Sequence, residues 1–393
     1  MIVFACAIGS LGDVNPVISL GSALQQRGHR VFVLTTADAE TKVRESGLHA
    51  HAVLSQQQWD SWRTLPRESE PHLENMKAWI HMALPAVAET IRFVWQEFVP
   101  GDSIGLAPAM TGAGFPFLRE KFQMPLIEIQ YAPRVHLDAG EFDQMFGDVL
   151  NGIRKSIRLP PMQEGWLRWL LTPDRALGLY PEWFLDASDL ERPANVIPLH
   201  YLFESQDDSR ALSEELVDFL ARGKAPLVVT FGTYAQTDAA LYANAIEACV
   251  SIGERLVVLT RYPEQLPSPL PSGCMSVPYV SLKQLFPYAS AVIHHGGAGT
   301  VAQAFRAGVP QIICPIAFDQ FANADRVVAL GCGTRIDRAE FRVDLITHVV
   351  ANTVADAHMT QAAKVVAGRI DDDATSRVCE FIERYARELG VKA

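Results

Sequence analysis

The chain has no excess of positive charge: 34 lysines and arginines stand against 45 aspartates and glutamates, a formal net charge of −11. A nucleic-acid binder needs a basic face to neutralise phosphates, so that partner class is excluded, although a small cationic pocket for one anion is not. There is no CxxC pair. The six cysteines (Cys6, Cys249, Cys274, Cys314, Cys332, Cys379) are scattered, several inside apolar runs, which excludes a zinc ribbon and reads as buried reduced thiols. The N-terminus, MIVFACAIGS, lacks the basic n-region of a signal peptide and runs straight into a strand-and-turn pattern. Ile80 to Val99, the most helix-like apolar stretch, is broken by His81, Pro85, Glu89, Arg92 and Glu97 and suits a soluble helix, not a bilayer span. The expectation is a cytoplasmic protein, monomer or homodimer, touching a membrane surface only if its substrate is lipidic. Two nucleotide fingerprints are missing as well. Val14 or Asn15 stands where GxGxxG needs its third glycine, which disfavours a nicotinamide cofactor, and no Walker lysine follows the later glycine cluster.

What is present is core material. At 393 residues, 49% hydrophobic and only 20% charged, the chain fits two domains and not a disordered one. Met1 to Ile8 is a continuous apolar run, as a strand buried on both faces requires. The turn Gly9-Ser10-Leu11-Gly12 follows, then helical spacing from Val14 to Gln26 with Pro16 in its first turn and Gly28 as C-terminal cap, then a strand from Arg30 to Thr35. That is one βαβ unit. The same order returns at Pro226 to Phe231, Gly232-Thr233, a helix from Leu241 to Ile252, and strands at Leu256 to Thr260 and Ala291 to His294. A glycine cluster then opens a helix from Thr300 to Ala307, and Gln311 to Pro315 is a further strand. The fold class expected is α/β, with two Rossmann-like doubly wound domains facing each other across a cleft. The boundaries are 1–205, 206–373 and a last helix in 374–393 that packs on either domain, with the hinge at Phe203 to Ser209.

All seven tryptophans (Trp59, Trp62, Trp79, Trp95, Trp166, Trp169, Trp183) lie in the N-terminal half. Singly, each reads as core packing; as a group they suggest an aromatic-lined cavity between residues 55 and 185 for an apolar ligand.

Three clusters carry chemistry. In Gly9-Ser10-Leu11-Gly12-Asp13, glycines after the first strand let a ligand approach the backbone, and Asp13 falls at a helix N-terminus. It is either a helix cap or a general base for a hydroxyl proton; the helix dipole favours its charged form and makes it a weak base. In His294-His295-Gly296-Gly297-Ala298-Gly299-Thr300, a strand feeds a glycine turn into a helix, which makes an anion site fit for a diphosphate, with His295 and Thr300 adding side-chain donors. In Asp319-Gln320, a carboxylate beside an amide suits sugar hydroxyls, or merely caps a helix from Ala324 to Leu330. No DxD metal site is present, and Asp371-Asp372-Asp373 reads as a cap plus solvated charge. His136, in the loop Tyr131 to Asp138, is either a surface histidine or a reserve base.

The stretch YVSLKQLFPYASAVIHHGGAGTVAQAFRAGVPQIICPIAFDQFANADRVVALGCG, from Tyr279 to Gly333, resembles the donor-binding signature of family 1 glycosyltransferases of the GT-B fold. The opening IGSLGDVNP, the GHR turn at Gly28 to Arg30 and PEWF at Pro181 to Phe184 are similar to the bacterial branch, which includes macrolide, glycopeptide and rhamnolipid-type transferases. The resemblance implies that Asp13 is the base, beside Gly12. It implies that His295, Gly297, Gly299 and Thr300 bind the donor diphosphate, with Gly232 and Thr233 near the phosphates. It implies that Gln303 meets the ribose hydroxyls, that Asp319 and Gln320 hold the sugar, and that Tyr279, next to Val280, stacks on the nucleobase. Ser281-Leu282 stand where plant members carry Pro-Gln, and Tyr234 replaces a small polar residue.

The function expected is inverting, metal-independent transfer of a hexose or deoxyhexose from a UDP- or dTDP-sugar to a hydroxyl of a small apolar or aromatic acceptor, with the nucleotide sugar as co-substrate and no cofactor. The alternatives are a nucleotide-sugar epimerase on the same fold and a non-catalytic nucleotide-sugar-binding homologue.

Overall fold

The structure is a computed structural model that describes residues 1–63, 76–133, 137–185, 196–203, 211–232, 239–372 and 374–392. These fall into two compact units, residues 1–203 with 371–392, and residues 211–370.

The first unit holds β1 (Ile2–Ala7), β2 (Arg30–Thr36), β3 (His49–Leu54), β4 (Ser103–Ala107), β5 (Leu126–Gln130), β6 (Arg175–Gly178) and β7 (Val196–Pro198). They form one sheet in the order β3-β2-β1-β4-β5-β6-β7, with every pair parallel. The strand order reverses between β1 and β4. In an open α/β sheet, a crevice for ligands opens at such a point, beyond the carboxyl ends of the strands.

Alternation along the strands sorts side chains to two layers. Val3, Ala5 and Ala7 of β1, Ile104 and Leu106 of β4, and Ile127 and Ile129 of β5 share a core with the helices Leu11–Gln26 and Ala374–Glu388. The last helix therefore packs on the first unit, through Val378, Cys379, Ile382 and Ala386. Arg27 adds a bidentate ion pair to Glu383 (2.7 and 2.8 Å), and His29 sits 3.0 Å from the same carboxylate. The Arg27 hydrogen bonds hold Glu383 down at about 2.

The opposite face carries the aromatics. Phe4 stacks on Phe32, whose ring is edged by Phe93. Trp59, Trp62, Trp79 and Trp166 are fully buried, with Trp59 and Trp62 stacked 5.0 Å apart. These four are packed core, which corrects the expectation that the tryptophans line an open cavity. Indole rings bury more apolar area than any other side chain, and here they fill the space between helix and sheet.

The second unit holds β8 (Leu227–Thr230), β9 (Leu256–Leu259), β10 (Cys274–Val277), β11 (Val292–His294), β12 (Gln311–Ile313) and β13 (Gly333–Arg335). The order is β10-β9-β8-β11-β12-β13, again all parallel, with the reversal between β8 and β11. Leu227, Val229, Val258 and Ile293 face the helices Ala239–Ser251 and Val343–Ala355. Val228, Val257 and Val292 face Leu216 and Ala304 on the other side. Both faces are covered, which is why these strands read as unbroken apolar runs.

All six cysteines are unpaired thiols and five are buried, with burial pushing Cys6, Cys249, Cys314 and Cys379 up to about 12. Among the described residues, no helix is long and apolar enough to cross a membrane.

Candidate functional site

Each unit places one of the expected clusters at its own strand-order reversal. In the first, the helix begins at Leu11, earlier than the Val14 expected. The reason is a capping box. Ser10 is the N-cap, its hydroxyl accepting from Gly12 N–H at 3.1 Å, while its own N–H and hydroxyl donate to Asp13 Oδ2 at 2.6 and 2.9 Å. Pro16 thus lies in the second turn and not the first, and removes the usual helical donor to the Gly12 carbonyl. Gly9, at φ +147°, is obligatory here: a Cβ would stand 2.2 Å from Asp13 Oδ2. Tyr131, just past β5, donates its hydroxyl to the Asp13 carbonyl at 3.1 Å. Burial, then the Asp13 charge, push that phenol well above its ordinary value. Two donors on one oxygen favour the charged carboxylate, and Asp13 is the third residue of the helix, reaching back to the cap, while Ser10 and not Asp13 is the N-cap itself.

In the second unit, β11 ends at His294 and the helix Ala298–Ala307 starts immediately beyond the glycine turn, with Gly297 as N-cap. Gly296 adopts φ +90° and has no room for a Cβ, which would meet the Gln320 carbonyl oxygen and Ile313 at 2.9 Å. Among the described residues, the N–H groups of Gly297, Ala298 and Gly299 make no backbone hydrogen bond; they are the open donors of a helix start. The His295 imidazole lies against Gly297 and Gly232. A Cβ at Gly297 would sit 2.6 Å from Nε2, and one at Gly232, itself at φ +91°, would sit 3.0 Å from Cε1.

Burial lowers His295 to about 4, against a weaker opposing pull from the Thr230 backbone that falls short of a well-formed hydrogen bond. The ring is neutral at pH 7 and offers a hydrogen bond, not a charge. His295 Nδ1 and Gln303 Oε1 are buried without hydrogen-bond partners, as expected of groups that a polar ligand completes. The turn is a cradle for a diphosphate, with dipole, backbone donors and glycine clearance in one place.

The sugar-binding pair is placed by a helix that starts at Gln320, not at Ala324 as expected. Phe318, at φ +57°, turns the chain so that Asp319 becomes the N-cap and Gln320 the first helical residue; a left-handed aromatic residue is strained backbone and gives no signal in the sequence. Gln320 Oε1 accepts from the N–H groups of Ile316 and Ala317 at 2.8 and 3.0 Å. That fixes its amide and leaves Nε2 as the donor. Burial raises Asp319 from 3.8 to about 6, opposed by a hydrogen bond from Asn323. Tyr279 is 39% exposed, with Arg261 over its ring, and Val280 packs beside the core of the same unit.

His136, Thr233 and Tyr234, and the hinge beyond Phe203, lie outside the described residues. Among those described, no three His, Cys, Asp or Glu side chains converge as metal ligands. Residues the sequence reading passed over are Ser10, His294, Gln311 and Asn323. Ser10 with Asp13 was legible as a capping-box spacing, and Asn323 as i+4 to Asp319; Gln311 carried no signal.

Comparison with known proteins agrees with this geometry. The Glycosyltransferase family 28 N-terminal domain matches residues 3–97, and the Erythromycin biosynthesis protein CIII-like C-terminal domain matches residues 245–381. Glycosyltransferase GtfC of Amycolatopsis orientalis is 29% identical over 95% of this chain and 95% of its own. Vancomycin aglycone glucosyltransferase of the same organism is 27% identical over 96% of this chain and 98% of its own. Among solved structures, the glycosyltransferase VinC in complex with dTDP superposes with a TM-score of 0.72 at 20% identity, covering 99% of this chain and 100% of that one. The glycotransferase of kitacinnamycin gives 0.74 at 19%, with 98% of each covered. The two doubly wound parallel sheets are thus those of a GT-B protein. The chain belongs to family 1 of the GT-B glycosyltransferases; sterol 3-beta-glucosyltransferase of Debaryomyces hansenii is also among the proteins it is similar to, at 26% identity over 97% of this chain and 26% of its own.

Proposed function

We propose that the chain is an inverting, metal-independent transferase that moves a hexose or deoxyhexose from a dTDP- or UDP-sugar to a hydroxyl of a small apolar or aromatic acceptor. The observation that carries this is the His295–Thr300 turn: a neutral imidazole and three N–H groups at a helix N-terminus with no backbone acceptor among the described residues, beside an amide donor and a carboxylate. A helix dipole and fixed donors stabilise the departing diphosphate without a cation. Asp319 accepts from sugar hydroxyls and Gln320 Nε2 donates to them. Asp13 takes the acceptor proton as the acceptor oxygen attacks the anomeric carbon opposite the leaving diphosphate. Because the Asp13 carboxylate is held charged, proton transfer comes late, as oxygen–carbon bonding develops. One relative is named dTDP-epi-vancosaminyltransferase and three fold neighbours hold thymidine diphosphate, so dTDP-sugars are the first donors to try. The relatives' acceptors, an antibiotic aglycone and a macrolide, guide the acceptor panel.

The test is transfer from dTDP- and UDP-sugars to that panel, followed by mass spectrometry, with EDTA present. The product anomer should be opposite to that of the donor, and the rate should be unchanged by EDTA. Asp13→Asn should lower kcat at least a hundredfold, within the ~10² to 10⁴ typical of a general base, while dTDP affinity stays within about twofold. A retained anomer, a rate abolished by EDTA, or full activity in Asp13→Asn would each overturn the corresponding part.

A further inference from the structure

We infer that Asn323 is a positioning residue that registers the sugar-binding carboxylate of Asp319 against the diphosphate turn. The inference rests on the donor-site reading above and goes further, to a residue that meets no reacting atom. Asn323 is 1% exposed, at the end of the first turn of the helix Gln320–Ala329, among Ala324 and Val327. An amide in such a place is costly unless bonded. Both of its N–H donors are used. One goes to the Gly296 carbonyl at 2.9 Å and the other to Asp319 Oδ2 at 2.7 Å. Because both partners are acceptors, the amide has one orientation. Its Oδ1 is buried without a hydrogen-bond partner, so packing of the oxygen is not what holds the side chain.

The peptide unit before Gly296 is held as well as the one after it. The Gly296 N–H donates to His294 Nδ1 at 3.0 Å, which places the imidazole proton on Nε2, facing Gln311 Oε1 at 3.0 Å. The result is a buried relay from Gln311 through His294, Gly296 and Asn323 to Asp319. His294 and Asn323 in the middle of the relay are each bonded on both sides, which limits their freedom to reorient. The orientation of the peptide units on either side of Gly296 sets where the following N–H groups point, and Asn323 transmits that orientation to the carboxylate of the N-cap, four residues before it. Diphosphate and sugar are thus gripped at a fixed separation.

The experiment is a double-mutant cycle read by titration calorimetry with dTDP and dTDP-glucose. The quantity followed is the sugar increment, the ratio of the two dissociation constants. Asn323→Leu should reduce the increment at least fivefold when Asp319 is present and less than twofold in the Asp319→Ala background. An equal reduction in both backgrounds, or none in either, would overturn the inference, because a merely structural role weakens both ligands without coupling to Asp319. If the leucine variant does not fold, Asn323→Ser takes its place, since its single short hydroxyl cannot bridge both acceptors, and the same pattern is expected. Wild-type protein that binds no dTDP would overturn the donor-site reading itself, and the inference with it. Wild-type protein that binds dTDP but shows no sugar increment would remove Asp319's role and the inference alone.

Discussion

Two adjacent glycines should fail in different ways when a methyl group is added. Gly297 has φ −60°, which alanine adopts without strain, but the new Cβ would lie 2.6 Å from His295 Nε2 and 3.2 Å from Cε1. Ordinary contact requires the ring to retreat by roughly 1 Å, beyond the reach of a good hydrogen bond. The loss is that of one hydrogen bond to a charged group, about 1.5–3 kcal/mol, or about 10- to 150-fold in dTDP affinity. The stability cost is limited to exchanging one N-cap residue, about 1 kcal/mol. Gly296→Ala differs. Its φ of +90° and the Gln320 carbonyl oxygen 2.9 Å from the added carbon put the cost into the fold, at least the 1–2 kcal/mol of a left-handed non-glycine residue. The assay is calorimetric titration with dTDP beside thermal unfolding without ligand. Gly297→Ala should bind weakly and melt close to wild type, and Gly296→Ala should melt several degrees lower. Wild-type dTDP affinity in Gly297→Ala would refute the placement of His295 at the diphosphate.

Other consequences are as direct. Gln320→Glu keeps an acceptor for the Ile316 and Ala317 N–H groups but removes the Nε2 donor; melting should barely change while the dTDP-glucose increment falls about tenfold, and an unchanged increment would remove Gln320 from the sugar site. Asp319 is raised by burial to about 6. Its acceptor form predominates only above that pH, so the increment should weaken as pH falls through about 6, by up to tenfold per unit; a flat profile from pH 7 to 5 would contradict this. The sign for stability is the reverse. Folding favours protonated Asp319, a contribution fully present below 3.8 and lost as pH rises through about 6, so neutralising Asp319→Asn should raise the melting temperature at pH 8 more than at pH 5.

Much of this arrangement could be read from residue order. Apolar strands, glycine turns and the His294–Thr300 cluster follow from periodicity and backbone freedom, and both doubly wound sheets have that origin. Helix starts were read late twice. At Leu11, the Ser10–Asp13 box begins the helix before the apolar spacing does. At Gln320, the left-handed Phe318 makes the turn without a glycine to announce it. The tryptophans misled because composition does not distinguish a filled layer from a lined cavity; that depends on what the helices bring against the sheet. The attachment of the last helix was open for a similar reason, since its apolar face fits any sheet, and Glu383 meeting Arg27 and His29 is a long-range pairing. The Gln311–His294–Gly296–Asn323–Asp319 relay joins residues far apart in sequence and is visible only in three dimensions.

The most direct measurement is a crystal structure with dTDP bound. The diphosphate should lie at the N-terminus of the helix Ala298–Ala307, within hydrogen-bond distance of His295 and of the Gly297, Ala298 and Gly299 N–H groups. A diphosphate bound in the first unit, at the turn before Asp13, or anywhere that leaves His295 untouched, would contradict the account.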